Sequence, residues 1–386
     1  MNFWNNLRQR LEEVKGLGVI GFGDITGGII SSIFWFYLAS VIEPSEYGDI
    51  HFFLSMATIA SAISLFGTHE SITVLTAKGH KIQSGLNIIS LGISSITSLF
   101  LIIFFQRVDV GIIVIAFVIN TLSIGDLLGR KQFFKYSQYN ILQKVLTLVL
   151  GIGFFYAFGP SGIIYALAIS YAGYLIRIIK TFREIPISFG LIKEKSSFLS
   201  HNYIVYLVGS FGSQVDKIIV VPLLGSAVLG NYSLALQVIT VLTMFTTILF
   251  KYLLPQESSG IQNRFLIRIV IIVSVIMSVL GIILSPIIIP NLFPKYIDAE
   301  VAIQIMSTSI IAIAISTICT SRLLSQEKSK FVLIGGVIAL SILVSGILTL
   351  GSIYGTIGIS ISFVLSTISK ATYLSLTLKK YGSNKN

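Results

Sequence analysis

The chain alternates long apolar segments with short polar connections. Each long segment is mostly apolar over about 20 residues, the length that a helix needs to cross a bilayer. Residues 181–200 form the longest polar stretch and follow the sixth such segment. The pattern predicts an all-α integral membrane protein with twelve transmembrane helices, at about 17–41, 50–76, 83–105, 109–129, 138–158, 161–180, 202–224, 228–253, 266–290, 299–324, 331–351 and 355–378.

A short polar motif recurs at corresponding places in the two halves of this pattern. Gly48-Asp49 follows the first apolar segment, and Gly230-Asn231 follows the seventh, about half a chain later. With six helices before the linker, both halves start on the same side of the membrane and run the same way, as parallel repeats require. We therefore predict two six-helix lobes, an N-terminal lobe of residues 1–190 and a C-terminal lobe of residues 191–386.

Composition supports the membrane assignment. The 386 residues are 54% hydrophobic and only 11% charged, with a mean hydropathy of +0.89, whereas soluble domains carry roughly 25% charged residues. A single cysteine, Cys319, excludes a disulfide framework. The first 16 residues lack the apolar core and cleavage site of a signal peptide, so we expect them to be retained.

The net charge of +11 would suit a nucleic-acid partner, but its distribution argues for membrane topology instead. If the N-terminus is inside, nearly all of the 27 lysines and arginines lie in inside segments. The exceptions are Arg107 and Lys295 in outside loops and three lysines within spanning segments. This asymmetry follows the positive-inside rule, with the basic residues facing anionic head groups. It predicts a multi-pass protein of the cell membrane (bacterial inner or archaeal plasma membrane) with both termini cytoplasmic and no nucleic-acid partner.

The chain lacks residues that several classes of protein need for their function. The chain has no GxxxxGK[ST] phosphate-binding loop and no His/Cys cluster with metal-ligand spacing. The predicted outside loops are only a few residues long, too short for the active site of a membrane glycosyltransferase, ligase or polymerase. We therefore expect neither an enzyme nor a cofactor or metal, and leave open coupling to a proton or sodium gradient.

Short motifs give the chain a resemblance to a known family. They are Leu65–Gly67, Pro44–Gly48, Gln214–Lys217, Leu223–Tyr232 and Asn291–Tyr296. Together with the twelve-helix layout, they resemble the Wzx-type polysaccharide-repeat-unit flippases of the multidrug/oligosaccharidyl-lipid/polysaccharide exporter superfamily. The match departs at residues 68–71, where the family often has a basic residue and this chain has none before Lys78.

The resemblance implies a fold and a function. The fold is a V-shaped pair of lobes around a central cavity. The function is flipping of a polyprenyl-diphosphate-linked oligosaccharide from the cytoplasmic to the outer face of the membrane by alternating access. The expected partners are this glycan and membrane lipids, with glycan assembly enzymes as further candidates.

Polar residues within spanning segments are the candidate substrate contacts, because charge near the bilayer centre is costly and tends to face a bundle interior or watery cavity. Lys144 either snorkels to the inner head groups or faces the cavity. Asp216 and Lys217 are adjacent, so they point about 100° apart on a helix, and at least one should face the cavity. Lys370 either pairs or lines the cavity. The predicted substrate-binding residues are Lys217, Lys144, Lys370 and Gln214.

Acidic and titratable residues are the candidates for coupling or gating, namely Asp24, Asp216, His69 and Glu70. Asp24 lies among glycines that allow close helix approach or bending, and it could instead pair with a basic residue. His69 and Glu70 form either a protonatable pair or ordinary inter-helix hydrogen bonds. Asp126 lies four residues before Arg130, which favours a structural ion pair.

Two transport functions fit this set of residues. The first is the lipid-linked oligosaccharide flippase, whose anionic diphosphate needs cationic partners. The alternative is a cation-coupled multidrug exporter of the same superfamily, which would favour acidic cavity residues. A non-transporting scaffold has no reason to sustain buried charges in several helices.

Overall fold

The computed structural model describes four stretches of the chain, residues 2–66, 69–246, 264–326 and 328–381. For residues 2–17, 69, 264 and 266 within these stretches, the structure describes the backbone only. The predicted site residue His69 therefore lies outside the described side chains, and the end of the predicted helix 228–253 lies outside the described residues.

All regular elements in the described first half are helices. They are α1 (Asn2–Val41), α2 (Pro44–Ser64), α3 (His69–Ala77), α4 (Gln83–Phe105), α5 (Val108–Gly129), α6 (Phe133–Phe158), α7 (Gly162–Ser170), α8 (Gly173–Glu184) and α9 (Phe189–Glu194).

The described second half is helical as well. Its elements are α10 (Ser196–Leu224), α11 (Ser226–Leu242), α12 (Arg264–Leu292), a 3₁₀ turn (Pro294–Tyr296), α13 (Ile297–Ser307), α14 (Ser309–Ser325), α15 (Ser329–Gly346), a π-helical turn (Ile347–Gly351), α16 (Ser352–Tyr354) and α17 (Thr356–Tyr381). A single residue, Gly225, separates α10 from α11, and its φ of 88° is a conformation that glycine adopts without a Cβ penalty.

The helices are long and apolar enough for a multi-pass membrane protein. Among the described residues, nine helical segments meet the length and hydropathy of a membrane span. A tenth is obtained if α13 and α14, bent by 45° at their junction, form one span. The predicted segment 50–76 corresponds to two helices, α2 and α3. The all-α membrane class is confirmed, whereas the number of twelve spans stays a prediction.

Packing divides the chain into two compact units. The first unit comprises residues 1–35 and 53–214, and the second comprises residues 36–52 and 215–386. The end of α1 and the start of α2 thus belong to the second unit, and α10 passes from one unit to the other after Gln214. Lobes bounded near residue 190 stay a prediction.

A buried ion network connects α5 and α8 in the first unit. The Asp126 carboxylate accepts hydrogen bonds from Arg130 Nε at 2.7 Å and from Arg177 Nε at 2.6 Å. Arg130 Nη1 also pairs with Glu184 Oε2 at 2.6 Å. The predicted pairing of Asp126 with Arg130 is therefore confirmed. These side chains stabilise the contact between α5 and α8, because removing one partner would leave a buried charge uncompensated.

Candidate functional site

Two glycines bring α1 against α6 in the first unit. A Cβ on Gly23 would overlap the side chain of Ser137, and a Cβ on Gly27 would lie 3.2 Å from Asn140 Nδ2 and 3.3 Å from Lys144 Cγ. Small residues four positions apart let membrane helices approach closely. The prediction of close helix approach around Asp24 is confirmed at these two glycines.

This contact places Asp24 beside polar groups of α6. Tyr136 donates its hydroxyl to Asp24 Oδ1 at 2.7 Å, and Asn140 Nδ2 donates to the same oxygen at 3.3 Å. Asn140 Nδ2 also lies 3.3 Å from the carbonyl of Gly23. A carboxylate that accepts hydrogen bonds from a tyrosine and an asparagine inside a spanning segment can bind a cation or exchange a proton. Sequence analysis missed Tyr136 and Asn140, whose spacing of four residues in α6 was the available signal.

Lys144 follows Asn140 by one helical turn on the same side of α6. Its alkyl chain packs along α1 at Gly27, and the residue is half-buried. Among the described residues, its ammonium makes no hydrogen bond or ion pair. Lys144 is therefore a lysine of a spanning helix whose alkyl chain is packed and whose amino group has no partner among the described residues.

The remaining predicted residues of the first unit differ in their surroundings. Gln214 Oε1 accepts a hydrogen bond from Ser55 Oγ at 2.9 Å, so α10 is tied to α2 at this point. Glu70 lies exposed near the start of α3.

In the second unit, Asp216 is a buried carboxylate with two partners. Tyr232 donates its hydroxyl to Asp216 Oδ2 at 3.0 Å. Lys217 Nζ lies 3.5 Å from Asp216 Oδ1, and the backbone N–H of Lys217 donates to the same oxygen at 2.9 Å. The two adjacent side chains thus contact each other. Tyr232, from the motif that follows Gly230, was not predicted as a site residue.

Lys370 is a half-buried lysine near the middle of α17, another spanning helix. Among the described residues, it makes no hydrogen bond or ion pair. Its neighbour on the same helix, Leu374, packs against Gly335 of α15. Lys370 therefore resembles Lys144 and differs from Lys217, which has Asp216 beside it.

The duplicated Gly-polar motifs meet each other in the second unit. A Cβ on Gly48 would overlap the carbonyl oxygen of Ser226, and a Cβ on Gly230 would overlap the carbonyl oxygen of Pro44. Gly48 thus lies against Ser226, four positions before Gly230. In the same way, Gly230 lies against Pro44, four positions before Gly48. Ser226 Oγ donates a hydrogen bond to the carboxylate of Asp49. We refer to residues 44–49 and 226–231 as the paired helix starts.

A third family-like motif joins the paired helix starts. The Tyr296 hydroxyl donates to the carbonyl of Ile42 at 3.3 Å, and its ring packs edge-on against Tyr47 with centroids 5.8 Å apart. Lys295 Nζ pairs with Glu43 Oε1 at 2.8 Å. Three short motifs that are far apart in the sequence therefore form one contact region on the predicted outer side.

This helical architecture is shared with solved membrane transporters. The structure aligns with the lipid II flippase MurJ in its inward closed conformation, with a TM-score of 0.75 and 13% identity, over 95% of this chain and 87% of that chain. It aligns with an inward-facing multidrug resistance MATE family transporter with a TM-score of 0.68 and 14% identity, over 94% and 96% of the two chains. The protein has the fold of the MOP superfamily transporters.

Further comparisons give the family. A MOP superfamily transporter from Pyrococcus furiosus, described with a binding pocket of reverse polarity, aligns with a TM-score of 0.64 and 13% identity over 95% of each chain. A search of curated proteins found no match. Residues 14–259, more than half of the chain, match the family described as "Polysaccharide biosynthesis protein". The chain belongs to this polysaccharide biosynthesis protein family.

Proposed function

We propose that this protein moves a polyprenyl-diphosphate-linked oligosaccharide from the cytoplasmic to the outer face of the cell membrane by alternating access. The description of its family supports a glycan substrate. The structural similarity to a lipid II flippase supports a lipid-linked one. Both termini are cytoplasmic in this proposal, and glycan assembly enzymes are its candidate partners.

Lys144 and Lys370 carry this proposal. Each unit has one of these lysines within a spanning helix, and neither makes a hydrogen bond or ion pair with the described residues. An ionisable residue within the membrane is costly to maintain and indicates a functional site. A diphosphate is the anion that such ammonium groups would bind through charge-assisted hydrogen bonds. We assign both lysines to the passage of the diphosphate.

The other predicted residues take supporting roles in this proposal. Lys217 and Gln214 contribute to the substrate path from α10, with Lys217 shared between Asp216 and the substrate. Asp24, Asp216, His69 and Glu70 are proposed to act in coupling or gating. The coupling ion, a proton or sodium, would bind at Asp24 because Tyr136 and Asn140 already orient its carboxylate.

Complementation of cells that lack the gene tests the two lysines. Lys144→Ala and Lys370→Ala should each lower glycan export roughly 10–100-fold, because a hydrogen bond to a charged group contributes about 1.5–3 kcal/mol. The lipid-linked glycan should accumulate on the cytoplasmic leaflet, measured by its accessibility to a glycosidase in inside-out vesicles. Lys144→Arg and Lys370→Arg should restore part of the export because they keep the charge.

Matched controls come from the same two helices. Lys135 in α6 and Lys379 in α17 are exposed, so their alanine variants should export normally. Membrane levels of every variant are measured by immunoblot. Normal export by the Lys144→Ala/Lys370→Ala double variant, at normal membrane levels, would overturn the assignment.

A cation-coupled multidrug exporter is the second candidate, and the Asp24 cluster favours it. A carboxylate with a tyrosine and an asparagine can bind a cation that drives export, and MATE transporters share the fold. In this case Asp24→Asn should abolish efflux of a cationic dye, whereas Lys144→Ala should leave efflux intact. Glycan export with no dye efflux would exclude this candidate.

A further inference from the structure

The second unit contains an apolar cavity of about 330 Å³ between α11, α12, α13 and the end of α1. One face of α12 forms its longest wall. The residues of that wall recur at intervals of three and four, so they share one side of the helix. They are Leu280, Gly281, Leu284, Ser285, Ile288, Ile289 and Leu292.

The single hydroxyl in this wall does not make the cavity polar. Pro286 has no N–H to donate to the carbonyl of Ile282, four residues earlier. The Ser285 hydroxyl instead donates to that carbonyl, at 3.3 Å. The hydroxyl is thus used within its own helix, and the cavity offers no polar group for a head group.

Both ends of the cavity are defined by close contacts. At one end, a Cβ on Gly281 would overlap the side chain of Ser307 and lie 2.9 Å from Leu242 Cδ1, so the helices touch there. At the other end, the rings of Phe36 and Phe293 lie 6.0 Å apart. The side is open, since Leu284 is 39% exposed.

The length of the cavity suits a hydrocarbon chain. From Leu280 to Leu292, α12 rises ~18 Å at 1.5 Å per residue. The cavity of about 330 Å³ extends along this wall. A cavity of this length with an apolar lining accommodates an extended hydrocarbon segment.

We propose that this cavity binds a segment of the polyprenyl chain of the lipid-linked glycan. This inference rests on the proposed function, because a carrier lipid keeps its tail in the membrane while its diphosphate crosses. The cavity lies on α12, whose residues 267–292 meet the criteria for a membrane span. Its apolar wall and open side allow a tail to enter from the lipid. A phospholipid acyl chain is the competing occupant.

Photo-crosslinking of the full chain in nanodiscs tests the inference. One probe is polyprenyl monophosphate with a diazirine in the tail, and the other is phosphatidylglycerol with a diazirine in an acyl chain. The polyprenyl probe should label residues 280–292 of α12 at least fivefold more than the phospholipid probe. Excess unlabelled polyprenyl monophosphate should compete, and excess phospholipid should not.

Two adjacent residues of α12 provide a matched pair of variants. Leu284 lines the cavity, whereas Ile283 is 56% exposed and does not line it. Leu284→Trp should reduce polyprenyl labelling at least fivefold, and Ile283→Trp should leave it unchanged. Thermal unfolding in detergent checks that both are folded. If Leu284→Trp is not folded, Val241→Trp replaces it in the labelling experiment, because Val241 lines the same cavity from α11.

The outcomes separate this inference from the proposed function, because the probe carries no glycan and the assay measures binding. Equal labelling by both probes, or labelling insensitive to the filling variants, would overturn the tail site even if Lys144→Ala blocks glycan export. Specific labelling together with normal export by the lysine variants would keep the tail site and reject the roles of the lysines.

Discussion

The two paired helix starts have the same backbone contact but different polar chemistry. At the first, Asp49 accepts a hydrogen bond from Ser226. The reciprocal position opposite Asn231 is Pro44, which has no hydroxyl to offer. Asn231 Nδ2 instead donates to the carbonyl of Ala227 at 3.1 Å, and Asn231 Oδ1 is buried without a partner among the described residues. The glycines therefore determine how closely the two helices approach each other. The polar contacts, in contrast, differ between the two helix starts.

The largest effect is expected from adding a methyl group at the crossing. Gly48→Ala and Gly230→Ala should each lower the free energy of unfolding by ~3 kcal/mol or more, because a Cβ would overlap a backbone carbonyl that a side-chain rotation cannot move. Denaturation in mixed micelles measures this difference.

The control for this prediction is another helical glycine. Gly212 in α10 has open space at the position of a Cβ, so Gly212→Ala should be neutral or slightly stabilising. If Gly48→Ala lowered the free energy of unfolding and Gly230→Ala did not, the two glycines would contribute unequally to the stability of the contact.

A smaller effect of opposite sign is expected on the side that lacks a hydrogen bond. Asn231→Leu removes a buried carbonyl oxygen that has no partner among the described residues, at similar side-chain volume. It should raise the free energy of unfolding by about 1 kcal/mol, since burying an unsatisfied polar group costs about 1–3 kcal/mol. A loss of stability in the same denaturation assay would mean that Oδ1 makes a contact in the membrane.

The smallest effect is expected at the hydrogen bond between the helix starts. Ser226→Ala should lower the free energy of unfolding by about 1 kcal/mol, because it removes one hydrogen bond to an exposed carboxylate. Ser45→Ala, at an exposed serine of the opposite helix start, is the control and should change nothing measurable. A cost equal to that of Gly230→Ala would show that the serine, rather than the glycine, governs the approach.

The ion network of the first unit shows how far sequence reasoning reaches. The pairing of Asp126 with Arg130 was predictable because residues four apart are neighbours on any helix. The second partner, Arg177, lies 51 residues away and is brought to Asp126 only by the packing of α8 on α5. Likewise, the glycines around Asp24 predicted a close approach, but not that α6 would supply Tyr136 and Asn140.

The sequence by itself determined the membrane class, the all-helical fold and the presence of lysines within spanning segments. These properties depend on hydropathy and on spacing along one helix, both of which are local. Only the tertiary structure decided that Lys217 contacts Asp216 while Lys144 and Lys370 have no described partner. It also decided that Gly48 meets Gly230 and that α11 and α12 enclose an apolar cavity. Such contacts depend on which helix faces meet, and within an apolar span nearly every face is equally able to pack, so hydropathy does not select among them.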